Sequence, residues 1–174
     1  MERRASQRIP MNVKDIIIQE SKAQISCLLN ELWHSRLPKI HWSNVVRNTH
    51  YVCYIFYYEE AIIGVGIWSS PVAQNRMKDE KKTLELRRLA LCKICPKNTA
   101  SFVISQMIKK IKVKFPEIIK LVSYQDNEVH LGTIYKASNW TEHGQTSLFD
   151  WNVNGRKRNK LQSESNKTRW EYYL

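Results

Sequence analysis

Residues 84–124 read LELRRLALCKICPKNTASFVISQMIKKIKVKFPEIIKLVSY, and this stretch decides the fold. Leu84, Leu86, Leu89 and Leu91 mark a strand whose alternation changes phase between Leu86 and Leu89, as an inserted bulge residue would make it do. After Cys95-Pro96-Lys97-Asn98 come Ala100, Val103, Ile104, Met107, Ile108 and Ile111, spaced as one face of a long helix. Lys109, Lys110, Lys112 and Lys114 fall on its solvated side, and Pro116 stops it. Ile118 to Tyr124 then reads as a second apolar strand. A strand, a helix and a strand in that order make a crossover between parallel neighbours.

Upstream, Val13 to Ile18 reads as a first strand. Ser21 is an expected N-cap for a helix whose apolar face is Ile25, Leu28, Leu29 and Leu32. Pro38 ends that helix. The run YVCYIFYY-EE-AIIGVGIW over 51–68 is a hairpin pattern, and residues 70–82 are polar and turn-like. Downstream, Asp126 or Asn127 is placed to cap a helix carrying Leu131, Ile134 and Tyr135. Residues 139–153 supply the final strands. The expected class is α/β, a mixed central sheet with helices on both faces. The division is a basic leader over 1–11, a domain over 12–154 and a basic C-terminal tail over 155–174.

A chain of 174 residues with 43% hydrophobic and 25% charged content suits one globular domain. It has no apolar run of the ~18 residues that cross a bilayer. The basic N-terminus has no apolar region behind it, so a secretory signal is not expected and the cytoplasm is. Lys+Arg 28 against Asp+Glu 16 leaves a formal charge of +12, which favours polyanionic partners through counterion release. Cys27 and Cys53 fall in helix and strand patterns as core thiols. Cys92 and Cys95 form a single C-x-x-C, short of the two ligand pairs that zinc sites normally use.

The order of elements resembles the GNAT acyltransferase fold. Within it, Ser-Tyr-x-Asp (123–126), His-x-Gly-Thr-Ile-Tyr (130–135) and Lys-Ala-x-x-Trp (136–140) resemble the phage Mom family of adenine-modifying enzymes. Trp33-His34-Ser35-Arg36-Leu37-Pro38 resembles that family's His-Tyr-Ser segment, and the likeness spans about residues 20–145. The resemblance implies a GNAT-like core that adds a small carbamoylmethyl-type group to the N6 amine of adenine and so blocks restriction enzymes. It also implies iron as a cofactor, with His34, Asp126 and Tyr135 as its matching ligands. The sequence departs from the family where Ser35 follows His34 directly and where Asp126 to Tyr135 is one residue short. It departs from ordinary GNAT enzymes at Pro96-Lys97-Asn98-Thr99-Ala100-Ser101, which replaces a glycine-rich turn.

Open α/β sheets bind ligands beyond the carboxyl ends of their strands. Tyr124, Asp126, His130 and Tyr135 stand near such an end and, with His34 and Ser35, are the catalytic candidates. A carboxylate and an imidazole there orient and deprotonate an exocyclic amine. Adjacent helical side chains do not face each other, so a His34–Ser35 dyad is not expected. The donor-binding candidates are Leu89 and Leu91 on the strand, then Lys97, Asn98, Thr99, Ala100 and Ser101 at the helix start. Free N–H groups at a helix start attract phosphate, although capping by Asn98 or Thr99 is the plainer expectation. Arg87 and Arg88, being consecutive, are expected on opposite faces, one of them paired with Glu85.

A base-modifying enzyme holds a flipped-out base against aromatic groups, for which Trp33, His41, Trp42 and Trp140 are candidates. Arg36, Lys39 and Trp42, with Arg156, Lys157 and Arg158 in the tail, are the expected nucleic-acid contacts. Trp170, Tyr172 and Tyr173 give that tail the composition of a single-strand clamp. DNA is the expected partner, with tRNA the alternative and a second copy of the chain a further one. Acyl-CoA and aminoacyl-tRNA are the candidate donors. The competing functions are an ordinary N-acyltransferase and a non-enzymatic nucleic-acid binder on the same scaffold.

Overall fold

The computed structural model describes residues 11–34, 39–72, 81–146 and 165–174. In chain order these form β1 (Ile17–Ser21), α1 (Ala23–Trp33), α2 (Ser43–Val46), β2 (Tyr51–Tyr58), β3 (Ala61–Ser69) and β4 (Thr83–Leu91). Then follow α3 (Thr99–Lys114), β5 (Lys120–Asp126), α4 (Thr133–Ala137), β6 (Thr141–Thr146) and β7 (Lys167–Tyr173). One sheet holds the strands in the order β1-β2-β3-β4-β5-β7-β6. Among the described strands only β4 and β5 pair in parallel, joined by α3. The mixed α/β architecture is the one the sequence predicts. No helix among the described residues is long and apolar enough to cross a membrane.

The long helix packs as its periodicity requires. Val103, Ile104, Met107, Ile108 and Ile111 are buried against Phe56, Trp68, Leu84, Leu86 and Leu121. Close approach depends on Gly66, where an added Cβ would meet Met107 Sδ at 2.5 Å. Trp68 Nε1–H donates to the same sulfur at 3.2 Å.

On the other face α1 lies over β2, β3 and β4, and its orientation corrects the expectation. It buries Ala23, Ser26, Cys27 and Asn30 and leaves Leu28 and Leu32 exposed at 65% and 73%. Small side chains let the helix sit close to Cys53, Val65 and Ile67, so the side that fits is not the most apolar one. The chain start differs too. Val13–Asp15 is a 3-10 turn capped by Asn12, and Ser21 belongs to β1, so it does not cap α1.

The expected bulge in β4 is present. Ile67 pairs with Arg88 and Trp68 with Leu86, which leaves Arg87 as the extra residue. The two arginines therefore do not diverge to opposite faces. Arg88 stands opposite Ile67, on the α1 side, and Arg87 Nη1 reaches back to Ser69 Oγ at 3.1 Å.

The C-terminal segment is corrected most. Lys167–Tyr173 is no tail but strand β7, inserted between β5 and β6. Trp170 is buried, stacks on Tyr135 with centroids 5.3 Å apart, and donates to Gln125 Oε1 at 2.9 Å. It is core and cannot serve as a strand clamp. Arg156, Lys157 and Arg158 lie outside the described residues.

Candidate active site

The parallel pair β4–β5 is short. It runs from Thr83 with Lys120 to Leu86 with Ser123, and there it stops. Beyond that point β4 continues to Leu91 along β3, while β5 continues to Asp126 along β7. The two strands thus part at their carboxyl ends, leaving a wedge-shaped opening where α/β sheets take ligands.

Backbone groups of β4 line one wall. Cys92 N donates to Ile63 O at 2.9 Å, so Cys92 and Ala90 direct their backbone groups towards β3. Leu89 and Leu91, alternating with them, direct theirs into the opening. Helix α3 begins at the same end, after Asn98 in the left-handed region at φ 70. No side chain caps it. Thr99 Oγ1 donates to Pro96 O at 2.9 Å, and Ser101 Oγ donates to Asn98 O at 3.1 Å, so both hydroxyls bond carbonyls. Capping by Asn98 or Thr99 is thereby corrected, and the N–H groups of the first turn, at Ala100 and Ser101, project from the helix start.

At the apex, Ser123 Oγ lies 2.8 Å from the Tyr135 hydroxyl and 3.5 Å from Leu86 O. Tyr135 is enclosed by Trp140 and Trp170, and burial pushes its hydroxyl above the usual phenol range, so it stays protonated. Gln125 ties the β5 end together, donating to His130 O at 2.7 Å and to Asn127 Oδ1 at 3.0 Å.

The opposite face of the opening is ionic. Glu85 Oε2 accepts from Val72 N at 3.1 Å, and Glu85 Oε1 lies 3.5 Å from Arg87 Nε. This is the pairing the sequence suggests. Arg88 Nη1 donates to Arg87 O at 2.6 Å. Burial, reinforced by the charge of Arg87, pushes the Arg88 guanidinium down to about 10. Lys167 stands across from Asp126 in the β5–β7 register, so the two share this face. Burial also lowers the Lys167 ammonium. The charges of Asp126 and Glu85 oppose that shift, while that of Arg88 adds to it.

The predicted site residues separate accordingly. Side chains alternate along β5, which pairs with β7 without a register shift. Asp126 therefore faces the ionic side, while Ser123 and its partner Tyr135 face the α3 side. Asp126 Oδ1 accepts from Glu128 N at 3.0 Å and caps no helix, since α4 starts after Gly132 at φ 73. His130 is exposed. His34 ends α1, its N–H bonded to Asn30 O. Ser35 and Arg36 lie outside the described residues.

An iron held jointly by His34, Asp126 and Tyr135 does not fit this arrangement, because the Tyr135 hydroxyl is sealed against Ser123 on the far face. Among the described residues no group of three His, Cys, Asp or Glu side chains is placed to hold a metal. Trp140 is buried against Trp68, Tyr135 and Tyr172, which removes it from the base-holding candidates. Trp33 is half-buried against the α1-side core. Trp42 is 39% exposed and stacks with His41, near the exposed Lys39, so this group keeps its candidacy. Sequence reasoning missed Lys167 and Ser123. The first was read as tail, and the second differs from an ordinary strand serine only by standing where pairing ends.

The fold matches solved structures of acetyltransferases. An IAA acetyltransferase from Bacillus cereus ATCC 14579 superposes with TM-score 0.64 at 15% identity, covering 91% of this chain and 99% of that one. A GNAT family acetyltransferase from Elizabethkingia anophelis, solved with acetyl-CoA bound, gives TM-score 0.63 at 17% identity, covering 92% and 99%. An N-acetyltransferase from Staphylococcus aureus Mu50 gives 0.64 at 14% identity, covering 91% and 98%. No curated protein matches the sequence. The model of the Mom protein family matches residues 25–172, from within α1 to near the end of β7, and the chain belongs to that family.

Proposed function

We propose that this protein is a transferase that moves a small acyl-derived group onto the exocyclic amine of a nucleobase, with DNA as the substrate. The observation that carries the reading is a GNAT-type opening between β4 and β5 within a chain matched over residues 25–172 by the Mom family model. The +12 charge supports a polyanionic substrate.

In this reading the donor lies along Leu89 and Leu91, whose backbone N–H and C=O groups bond its extended part. Its phosphates meet the start of α3 beside Lys97, where projecting N–H groups and a cationic side chain suit an anion. The amine approaches from the ionic face. An exocyclic amine is a poor nucleophile until its proton is removed, and Asp126, beside Lys167, is the candidate base. Tyr135, held protonated and bonded to Ser123, is a positioning residue that fixes the apex where the strands part. Arg88 supplies positive charge where the tetrahedral oxyanion would develop.

The test is to express the protein, digest cellular DNA and tRNA to nucleosides, and search both by mass spectrometry for a new species. A modified adenosine-type nucleoside from DNA that disappears with Asp126→Ala supports the reading. A modified tRNA nucleoside moves the substrate to RNA. Unmodified nucleosides together with acetyl-CoA turnover on small amines would overturn it in favour of an ordinary N-acyltransferase.

A further inference from the structure

We propose that Cys92 and Cys95, in the turn between β4 and α3, form an oxidative-modification site that takes low-molecular-weight disulfides and closes reversibly into an internal disulfide. The two thiols are free and half-buried, and their Sγ atoms lie 3.2 Å apart. Cys95 N donates to Cys92 O at 3.3 Å, closing a four-residue turn. Such a turn keeps its end Cα atoms within about 7 Å, close to the range a disulfide spans. The sulfurs then need to approach by only about 1 Å more.

The structure contains its own contrast. Cys27 and Cys53 are buried between α1 and the sheet, and burial pushes them up to about 11 and about 12. Both are shielded from reagent, whereas Cys92 and Cys95 are half-buried in a turn.

The chemistry has an order. The Cys92 thiolate attacks one sulfur of the external disulfide, forming a mixed disulfide and expelling one thiolate. Cys95 then attacks Cys92 Sγ and expels the second. The two protein thiols lose two electrons and two protons, and the reagent is reduced to two thiols. Cys95 is held up to about 12 by burial first, then by its hydrogen bond to Cys92 and by the charge of Cys92. Its sulfur lies 3.2 Å from Cys92 Sγ, so proximity carries the second step once Cys92 is capped.

The same turn leads into Lys97, Asn98 and the start of α3, so a covalent link across it alters the donor end of the opening. That consequence rests on the transferase reading; the thiol chemistry does not. Incubating the full chain with oxidised glutathione and measuring intact mass tests it. Wild type should lose two hydrogens and carry no adduct. Cys95→Ser should keep one glutathione on Cys92, and Cys92→Ser should resist. A lasting adduct on wild type, no reaction, or linkage through Cys27 or Cys53 would overturn the proposal. In parallel, titration with acetyl-CoA should give affinities for reduced and oxidised wild type that differ by about fivefold or more. Equal affinities would refute the coupling. Absence of binding in both forms would count against the donor reading and leave the mass result decisive for the thiols.

Discussion

The Tyr135 hydroxyl lies 2.8 Å from Ser123 Oγ, and Ser123 is the last residue of β5 that pairs with β4. The pair thus marks the point where the parallel strands part. Tyr135→Phe removes the hydroxyl and leaves the ring in its stack with Trp170. The stability cost should be about 1 kcal/mol, that of one buried hydrogen bond. If the hydroxyl positions Ser123 and the fork of the strands for transfer, the transfer rate should drop further than the loss of stability accounts for. Thermal unfolding and single-turnover kinetics separate the two. A rate that falls no further than stability does would leave Tyr135 a packing residue.

Lys167 faces Asp126 across the β5–β7 ladder, and burial lowers its pKa in the folded chain. A lysine whose folded pKa lies below its unfolded value binds fewer protons when native. Stability therefore rises with pH between the folded pKa and the ordinary lysine value, and the strain is fully present below that window. Lys167→Met should flatten this rise without lowering stability at neutral pH. If Lys167 positions the acceptor, the same change should weaken transfer. Denaturant unfolding as a function of pH, for both proteins, reads the first effect. A steeper pH rise in the variant would contradict it.

Much of the fold was legible in residues 84–124, because one long helix between two apolar strands leaves few arrangements. The phase slip between Leu86 and Leu89 also showed the bulge. Its consequence did not show, since one extra residue turns Arg88 to the side of Ile67 and so gathers Glu85, Arg87 and Arg88 on one face. Asp126 was found by motif and Lys167 was not. The register that joins them depends on a strand formed by pairing with β5, and its charged sequence resembles a solvated tail. Tyr135 was found as a residue but not as a position, because a motif gives no account of which face of β5 a side chain meets.

Gly66 is a second place where shape overrides pattern. It occupies a β-rich run that would accept valine, yet α3 rests Met107 directly on it. Gly66→Ala should cost about 1–3 kcal/mol through overpacking. Combined with Met107→Ala, the penalty should be less than the sum of the single changes, because the smaller side chain clears the space. Urea unfolding of the four proteins measures this. Strict additivity would show that the methionine is not the obstacle.

Helix α1 carries the sharpest conflict between apolar pattern and packing, and it gives a clean discriminating test. Periodicity points to Ile25, Leu28, Leu29 and Leu32 as the buried side, whereas the helix docks through Ala23, Ser26, Cys27 and Asn30. Leu28→Glu should therefore change stability by no more than about 0.5 kcal/mol, as surface substitutions do. Cys27→Leu should cost about 1–3 kcal/mol, because added methyl groups must fit between α1 and the strand bearing Cys53. The reverse ranking would mean that α1 is rotated so that its leucines face the sheet. Cys27 would then turn away from Arg88, whose charge acts on that thiol in the present arrangement. Comparing the two variants by thermal unfolding decides the helix's orientation, and with it which residues can border the ionic face of the opening.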